Sequence, residues 1–329
     1  MKISTILLNG KKEICLSLDA HLYKVNSLND FTLSGKKKSK KYLNNQNFLN
    51  SDNYEYALNT AAEYLDWKIT SEEEEVIESK VTDDSYSYLS PIASPPLLYG
   101  VIQNAPEFWR RNNRNRIDTG FVSGFARANG ARSGHLSQID IPSYTTSFRC
   151  AAELGVVIGK DAKNVTEDRA MEYVFGYTCV NDMIGNCWSS FANQRNSNNN
   201  PSRFELLVNS YYGRNTCNFG PVGPSVVTKD EINDPYNLLM YTRFNGMQND
   251  RSFSNAMLVG IERCISILSS FITLRAGSII HMGSMGLDGI PIDDDRRLLD
   301  TDFVEIEIEK IGKLRNYFND RRNIISGKL

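Results

Sequence analysis

The sequence predicts an α+β, β-rich fold, on three observations. Asn9-Gly10 and Asn245-Gly246 each follow an apolar, strand-like run. Residues 153–158 form a near-continuous apolar segment, and Met257, Leu258, Ile261, Ile265, Leu268 and Ile272 recur at helical spacing. Asn-Gly is a strong hairpin signal because both residues of a tight two-residue turn need positive φ. The late periodic stretch predicts a buried amphipathic helix after Ser254.

Taken in order, residues 3–8 and 14–18 flank Asn9-Gly10, so the chain begins in β structure. Residues 31–55 are polar and carry a lysine run, with an acidic counterpart at 72–75; such runs are usually solvated faces. Residues 56–67 read as a short amphipathic helix. The Pro-rich, small-residue stretch 90–96 marks a boundary between a small N-terminal domain, 1–96, and a larger one, 97–329. In the larger part, 153–158 is a strand and 166–174 a helix with Thr166 as N-cap and Glu167 in its first turn. Residues 189–201, rich in Asn and Ser, read as a mobile surface loop, and 238–244 as a strand entering the second hairpin. Residues 279–280 and 303–308 supply late strands, the second alternating apolar with acidic as a half-exposed strand does.

Composition narrows the partners. Lys and Arg total 37 against 39 Asp and Glu, which leaves no basic field to hold nucleic acid or an anionic membrane. The six cysteines contain no Cys-x-x-Cys pair, which argues against a zinc knuckle and fits reduced thiols in a cytoplasm. No stretch is long and apolar enough to cross a bilayer, and the N-terminal apolar run is too short for a signal peptide.

Four blocks, in order, carry a family resemblance over roughly 98–318. They are Ala151-Ala152-Glu153-Leu154-Gly155-Val156-Val157-Ile158-Gly159-Lys160; Gly176-Tyr177-Thr178-Cys179-Val180-Asn181-Asp182; Phe219-Gly220-Pro221-Val222-Gly223-Pro224, running on to Asn245-Gly246; and Leu274-Arg275-Ala276-Gly277-Ser278-Ile279-Ile280 with Gly283-Ser284. Each is weak alone, but their order and spacing resemble the fumarylacetoacetate hydrolase family. The resemblance implies a mixed β-roll, a small β-containing N-terminal domain as in some two-domain members, and a homodimer. It also implies Mg²⁺ or Mn²⁺ held by three carboxylates, two from a Glu-x-Glu strand and one from an Asn-Asp pair. Such an ion stabilises the negative charge that develops on a keto or diketo substrate when a carbon–carbon bond breaks or an α-proton leaves.

Measured against that pattern, Glu153 matches the second glutamate and Asp182 the third ligand, while Ala151 stands where the first glutamate belongs. Mg²⁺ or Mn²⁺ is therefore expected to bind weakly or not at all. Asn186 and Ser189 occupy the places of the family's substrate-contacting Arg and Gln, Arg214 that of a lysine, Cys217 that of an acidic residue, and Ser284 that of a threonine. Glu107 aligns with a catalytic His. The expected catalytic set is thus Glu107, Arg214 and Ser284, the substrate-binding set Asn186, Ser189 and Cys217, and the metal set Glu153 and Asp182. Glu153 and Asp182 either retain weak metal binding or form hydrogen bonds or a salt bridge, with Arg214 as partner, in a site without metal. Cys150 points away from Ala151 and Glu153 by strand alternation and is read as a core residue. His281 is read as packing or hydrogen-bonding near its strand end. Two functions stay open: a divergent enzyme on a small 1,3-dicarbonyl, β-keto or 2-oxo acid, working by C–C hydrolysis, tautomerisation or decarboxylation, which includes metal-independent catalysis in a specialised pathway with Glu107 or Glu153 as general base, and a non-catalytic binding module or structural partner.

Overall fold

The computed structural model describes residues 2–18, 21–24, 32–33, 36–37, 80–82, 85–106, 121–145, 147–186, 210–286, 290–292 and 298–322. The helix read at 56–67, the loop at 189–201, Glu107 and Ser189 lie outside these.

Strands β1 (Lys2–Leu8), β2 (Lys11–Leu18) and β3 (His21–Lys24) form a meander, with Asn9 at φ 49° and Gly10 at φ 74° closing the predicted first hairpin. Two-residue strands β4 (Thr32–Leu33) and β5 (Lys36–Lys37) pair with each other, and β6 (Ser87–Tyr88) adds to β1. Then come β7 (Leu98–Val101), β8 (Gly124–Ala126), β9 (Arg132–Ser133) and β10 (Gln138–Ile141), followed by the long strands β11 (Ser147–Ile158) and β12 (Val174–Asn186). After β13 (Gly220–Thr228), β14 (Leu239–Phe244) and β15 (Met247–Phe253) close the second hairpin through Asn245 and Gly246, at φ 50° and 79°. Helix α1 (Ile261–Phe271) leads to β16 (Ile279–His281), β17 (Ile290–Ile292), β18 (Phe303–Ile308) and β19 (Gly312–Asp320).

These strands make one large mixed sheet, in the order β3-β2-β1-β13-β12-β11-β16-β7-β8, and a five-stranded sheet, β10-β19-β18-β14-β15. Pairing is mostly antiparallel, with parallel pairs at β16–β7, β10–β19 and β13–β9. The N-terminal meander continues the large sheet, since β1 pairs with β13 at Lys2–Val227 and Ile3–Val226. The five-stranded sheet packs over β11, β12 and β13. Between them lies the core: Cys150, Ala152, Leu154, Val156 and Ile158 of β11 all face it, each at most 5% exposed. Alternation therefore sends Ala151, Glu153 and Gly155 to the opposite face. That second face is buried too, which is why β11 reads as a continuous apolar run instead of alternating.

Residues 167–173 are helical as read, in 3-10 form, with Thr166 at the N-cap and Glu167 in the first turn, although the Thr166 side chain makes no capping bond. Two local readings need correction. The late helix starts at Ile261 behind Gly260, so Met257 and Leu258 precede it, and Ile272, 43% exposed, lies just past its end. In β18, Glu305 is only 5% exposed, because β18 is an inner strand whose neighbours bring Arg243, Lys313 and Arg315 to it. Among the described residues, no helix is long and apolar enough to cross a membrane.

Candidate functional site

The site lies on the face of the large sheet turned away from the five-stranded one. In the β11–β12 register Ala151 sits opposite Asp182, and Glu153 opposite Val180. Glu153 and Asp182, two residues offset on neighbouring strands, therefore share a face. β16, the next strand on the other side of β11, brings His281 beside Gly155, and its Nδ1 is hydrogen-bonded to Glu153 Oε2. The backbone N–H of Gly283 donates to the same oxygen at 3.1 Å. Space for the ring comes from Gly100 of β7, where a Cβ would meet His281 at 2.4 Å. Glu153 Oε1 makes no hydrogen bond among the described residues.

Asp182 is held by two guanidinium groups. Arg127, directly after β8 and wholly buried, donates to Oδ1 through one terminal nitrogen, which also reaches Met183 O at 3.1 Å, while its other terminal nitrogen donates to the Arg214 carbonyl. Arg214 Nε donates to Oδ2 at 3.3 Å, and its Nη1 to Ser210 Oγ at 3.0 Å. Both guanidiniums lie on the Phe125 ring, 5.3 and 4.6 Å from its centroid. Burial alone would raise the Asp182 carboxyl pKa, but Arg214 and Arg127 outweigh it and hold the group down to about 2. That ordering is physically reasonable: at about 4 Å and an effective permittivity of about 20, one unit-charge pair is worth about 4 kcal/mol. Glu153 goes the other way. Burial, and then the nearby Asp182 charge, push its carboxyl up, with His281 and Arg214 opposing.

A cavity of about 140 Å³ opens beside these groups, lined by Glu153, Asp182, Arg214, Ser284, Ser210 and Asn104 among others. Asn104 is a structural clamp: its amide donates to Val259 O and Met282 O and accepts from Val259 N. Of the residues singled out from sequence, Glu153, Asp182, Arg214 and Ser284 are thus brought together. Asn186 is exposed at the end of β12 and Cys217 is exposed, and neither lines the cavity. Cys150 is buried in the core, as alternation indicated. Sequence reasoning passed over Arg127, which no local pattern marks, and read His281 only as a strand-end residue.

Glu153, Asp182 and His281 each offer a ligand atom, and these lie within 4.8 Å of one another, so they could in principle hold a metal ion. The arrangement does not fit a hard dication. Mg²⁺ and Mn²⁺ take oxygen ligands that face the ion directly. Here both Asp182 oxygens accept from guanidiniums, whose positive charge repels a dication, and Glu153 Oε2 is bonded to His281 and Gly283, which leaves Glu153 Oε1 as the one carboxylate oxygen of the pair without a partner among the described residues.

Residues 99–319 match the family described as fumarylacetoacetate (FAA) hydrolase, C-terminal, and the chain belongs to that family. It is 32% identical over 192 residues to an uncharacterized protein of Archaeoglobus fulgidus, covering 58% of this chain and 67% of that one. It is 30% identical over 230 residues to the mitochondrial oxaloacetate tautomerase fahd2 of Xenopus laevis, covering 70% of this chain and 67% of that protein. Among solved structures, maleylpyruvate hydrolase from Sphingobium sp. SYK-6, in complex with manganese(II) and pyruvate, superposes with a TM-score of 0.68 at 17% identity, covering 97% and 99% of the two chains. A fumarylacetoacetate hydrolase from Exiguobacterium antarcticum gives 0.68 at 22% identity, covering 98% and 100%. At those identities the two structures speak for the fold.

Proposed function

We propose that the chain is an enzyme acting on a small 2-oxo or β-keto acid, and that its reaction is proton transfer next to the carbonyl, a tautomerisation. The observation that carries this reading is one cavity bordered by Glu153, whose Oε1 accepts no hydrogen bond among the described residues and whose carboxyl pKa is raised, and by the Arg214 guanidinium. A carboxylate whose pKa lies above its usual value is a better proton acceptor, and a fixed cation offsets the oxyanion that forms. In the step, Glu153 takes a proton from the carbon beside the carbonyl, the C–H electron pair becomes the C=C bond, and the carbonyl oxygen becomes an enolate facing Arg214. Return of the proton to that oxygen gives the enol, with no redox change. The neighbouring His281 orients Glu153 through Oε2. Ser284 adds a hydroxyl at the cavity wall. Similarity to an oxaloacetate tautomerase supports the choice. Decarboxylation and hydrolytic C–C cleavage also pass through an enolate, that of the fragment left when the C–C bond breaks, and cleavage needs in addition an activated water.

A binding module without turnover is the second reading, favoured by the capping of both Asp182 oxygens. One experiment separates them: the enol–keto interconversion of oxaloacetate followed by ultraviolet absorbance. Accelerated interconversion, lowered by at least about a hundredfold in Glu153→Gln, is the expected result. A rate equal to that of buffer ends the enzymatic reading for this substrate class and leaves the binding module.

A further inference from the structure

We propose that Arg127 and Arg214 together supply in this chain the double positive charge that a divalent ion would bring, so that the cavity binds a small 2-oxo carboxylate or its enolate without metal. The inference rests on the proposed function only for the chemistry of the ligand.

Three observations point the same way. The first is charge. Glu153 and Asp182 carry at most two negative charges, and Arg127, buried, and Arg214, partly buried, carry two positive ones in the same cluster. Within these four residues no negative charge is left over to balance a dication, which would enter facing two guanidiniums. The second is anchoring. Arg127 has a fully buried side chain, three hydrogen bonds and a place on Phe125, so it cannot swing aside to free Asp182 without stranding its own charge. The fold leaves room for it at Gly220, where a Cβ would lie 2.9 Å from Arg127 Cδ. The third is direction. Arg214 borders the cavity, and one of its terminal nitrogens makes no hydrogen bond among the described residues. That N–H is available to a carboxylate or enolate oxygen. Arg127, behind it, neutralises Asp182 and fixes the Arg214 backbone through its carbonyl. Arg214 is then a binding residue and Arg127 a positioning residue.

The test uses the full chain, stripped with EDTA, and titrates pyruvate calorimetrically with and without millimolar Mn²⁺, with Mn²⁺ alone followed by electron paramagnetic resonance. The expected result is pyruvate binding that changes less than about threefold on adding Mn²⁺, and no Mn²⁺ bound by the protein alone. Arg214→Met should weaken pyruvate by at least about tenfold, with Arg214→Lys in between, because the lysine keeps the charge without the planar fork. Arg127→Lys should weaken pyruvate binding while its circular dichroism stays that of the wild type. Stoichiometric Mn²⁺ binding to wild type, pyruvate binding only with Mn²⁺, or no pyruvate binding under either condition overturns the proposal, and none of these requires a variant to fold. Metal-free pyruvate binding without oxaloacetate interconversion keeps it and ends the proposed function. Interconversion that depends on Mn²⁺ does the reverse.

Discussion

Arg127 and Asp182, 55 residues apart in sequence, are locked together on the site face, and the same guanidinium holds the main-chain carbonyl of Arg214. The pair ties the segment after β8 to the inner strand β12, across an interval that includes all of β9, β10 and β11. Its removal should register first in stability. Asp182→Asn leaves the buried Arg127 guanidinium and the partly buried Arg214 guanidinium without their carboxylate and is expected to cost about 3–5 kcal/mol. Arg214→Met leaves the Arg127 pair intact and removes a side chain that is partly exposed, so about 1–3 kcal/mol is expected. Urea unfolding of both variants checks the ranking, and equal losses would mean that Arg127 contributes little to holding Asp182.

At Ala151 the missing carboxylate can be restored. It faces Asp182 directly and is 4% exposed. Ala151→Glu should destabilise the protein by about 2–4 kcal/mol, because it buries a charge the two arginines already balance without it. Mn²⁺ should then raise the melting temperature of this variant and leave that of the wild type unchanged. A Mn²⁺-insensitive variant that is otherwise folded would show that the strand register alone does not make a metal site.

His135 gives the fold a pH dependence distant from the site. Its Nδ1 accepts the Arg315 backbone N–H at 3.0 Å, and burial, followed by the Arg315 charge, lowers its pKa to about 4. A histidine depressed in the folded state is stabilising while neutral. The contribution is complete above the unfolded value of about 6.5 and is lost as pH falls from there toward 4. Between pH 7 and 5 the loss should be about 1–2 kcal/mol, and His135→Gln, which retains an acceptor, should remove that part of the pH dependence in urea titrations.

Gly100 should not tolerate a methyl group. A Cβ there would meet the His281 ring at 2.4 Å and Phe125 at 2.5 Å. Gly100→Ala is expected to cost about 1–3 kcal/mol and to displace His281 from Glu153. The displacement is visible as a changed imidazole resonance in proton NMR, and an unchanged one would place the slack elsewhere.

How much of this was legible depended on whether the signal was local. Both hairpins were readable because Asn-Gly encodes its own backbone geometry, and β11 because its apolar run is unbroken. Strand alternation put Glu153 on one face and Cys150 on the other, and the block order placed Asp182 beside them. The apolar period overshoots the start of α1, because Met257 and Leu258 continue it while the chain still turns ahead of Gly260. Arg127 was invisible for a different reason. What makes it matter is a partner 55 residues away and a vacant volume at Gly220, neither of which leaves a trace in its own neighbourhood. His281 likewise gains its role from β16 lying next to β11, a pairing between strands more than a hundred residues apart.

Phe125 touches the three side chains that bond the two carboxylates: Arg127 and Arg214 by its faces, and His281 in an edge-on arrangement at 5.6 Å. An aromatic face attracts cations by about 0.5–2 kcal/mol, more as water is excluded. Unlike a third carboxylate, the ring has no proton to gain or lose. The share of cation attraction that it supplies is therefore the same in acid and in base, and it gives the arginine cluster a permanent neutral counterweight that neither salt nor chelator can strip away.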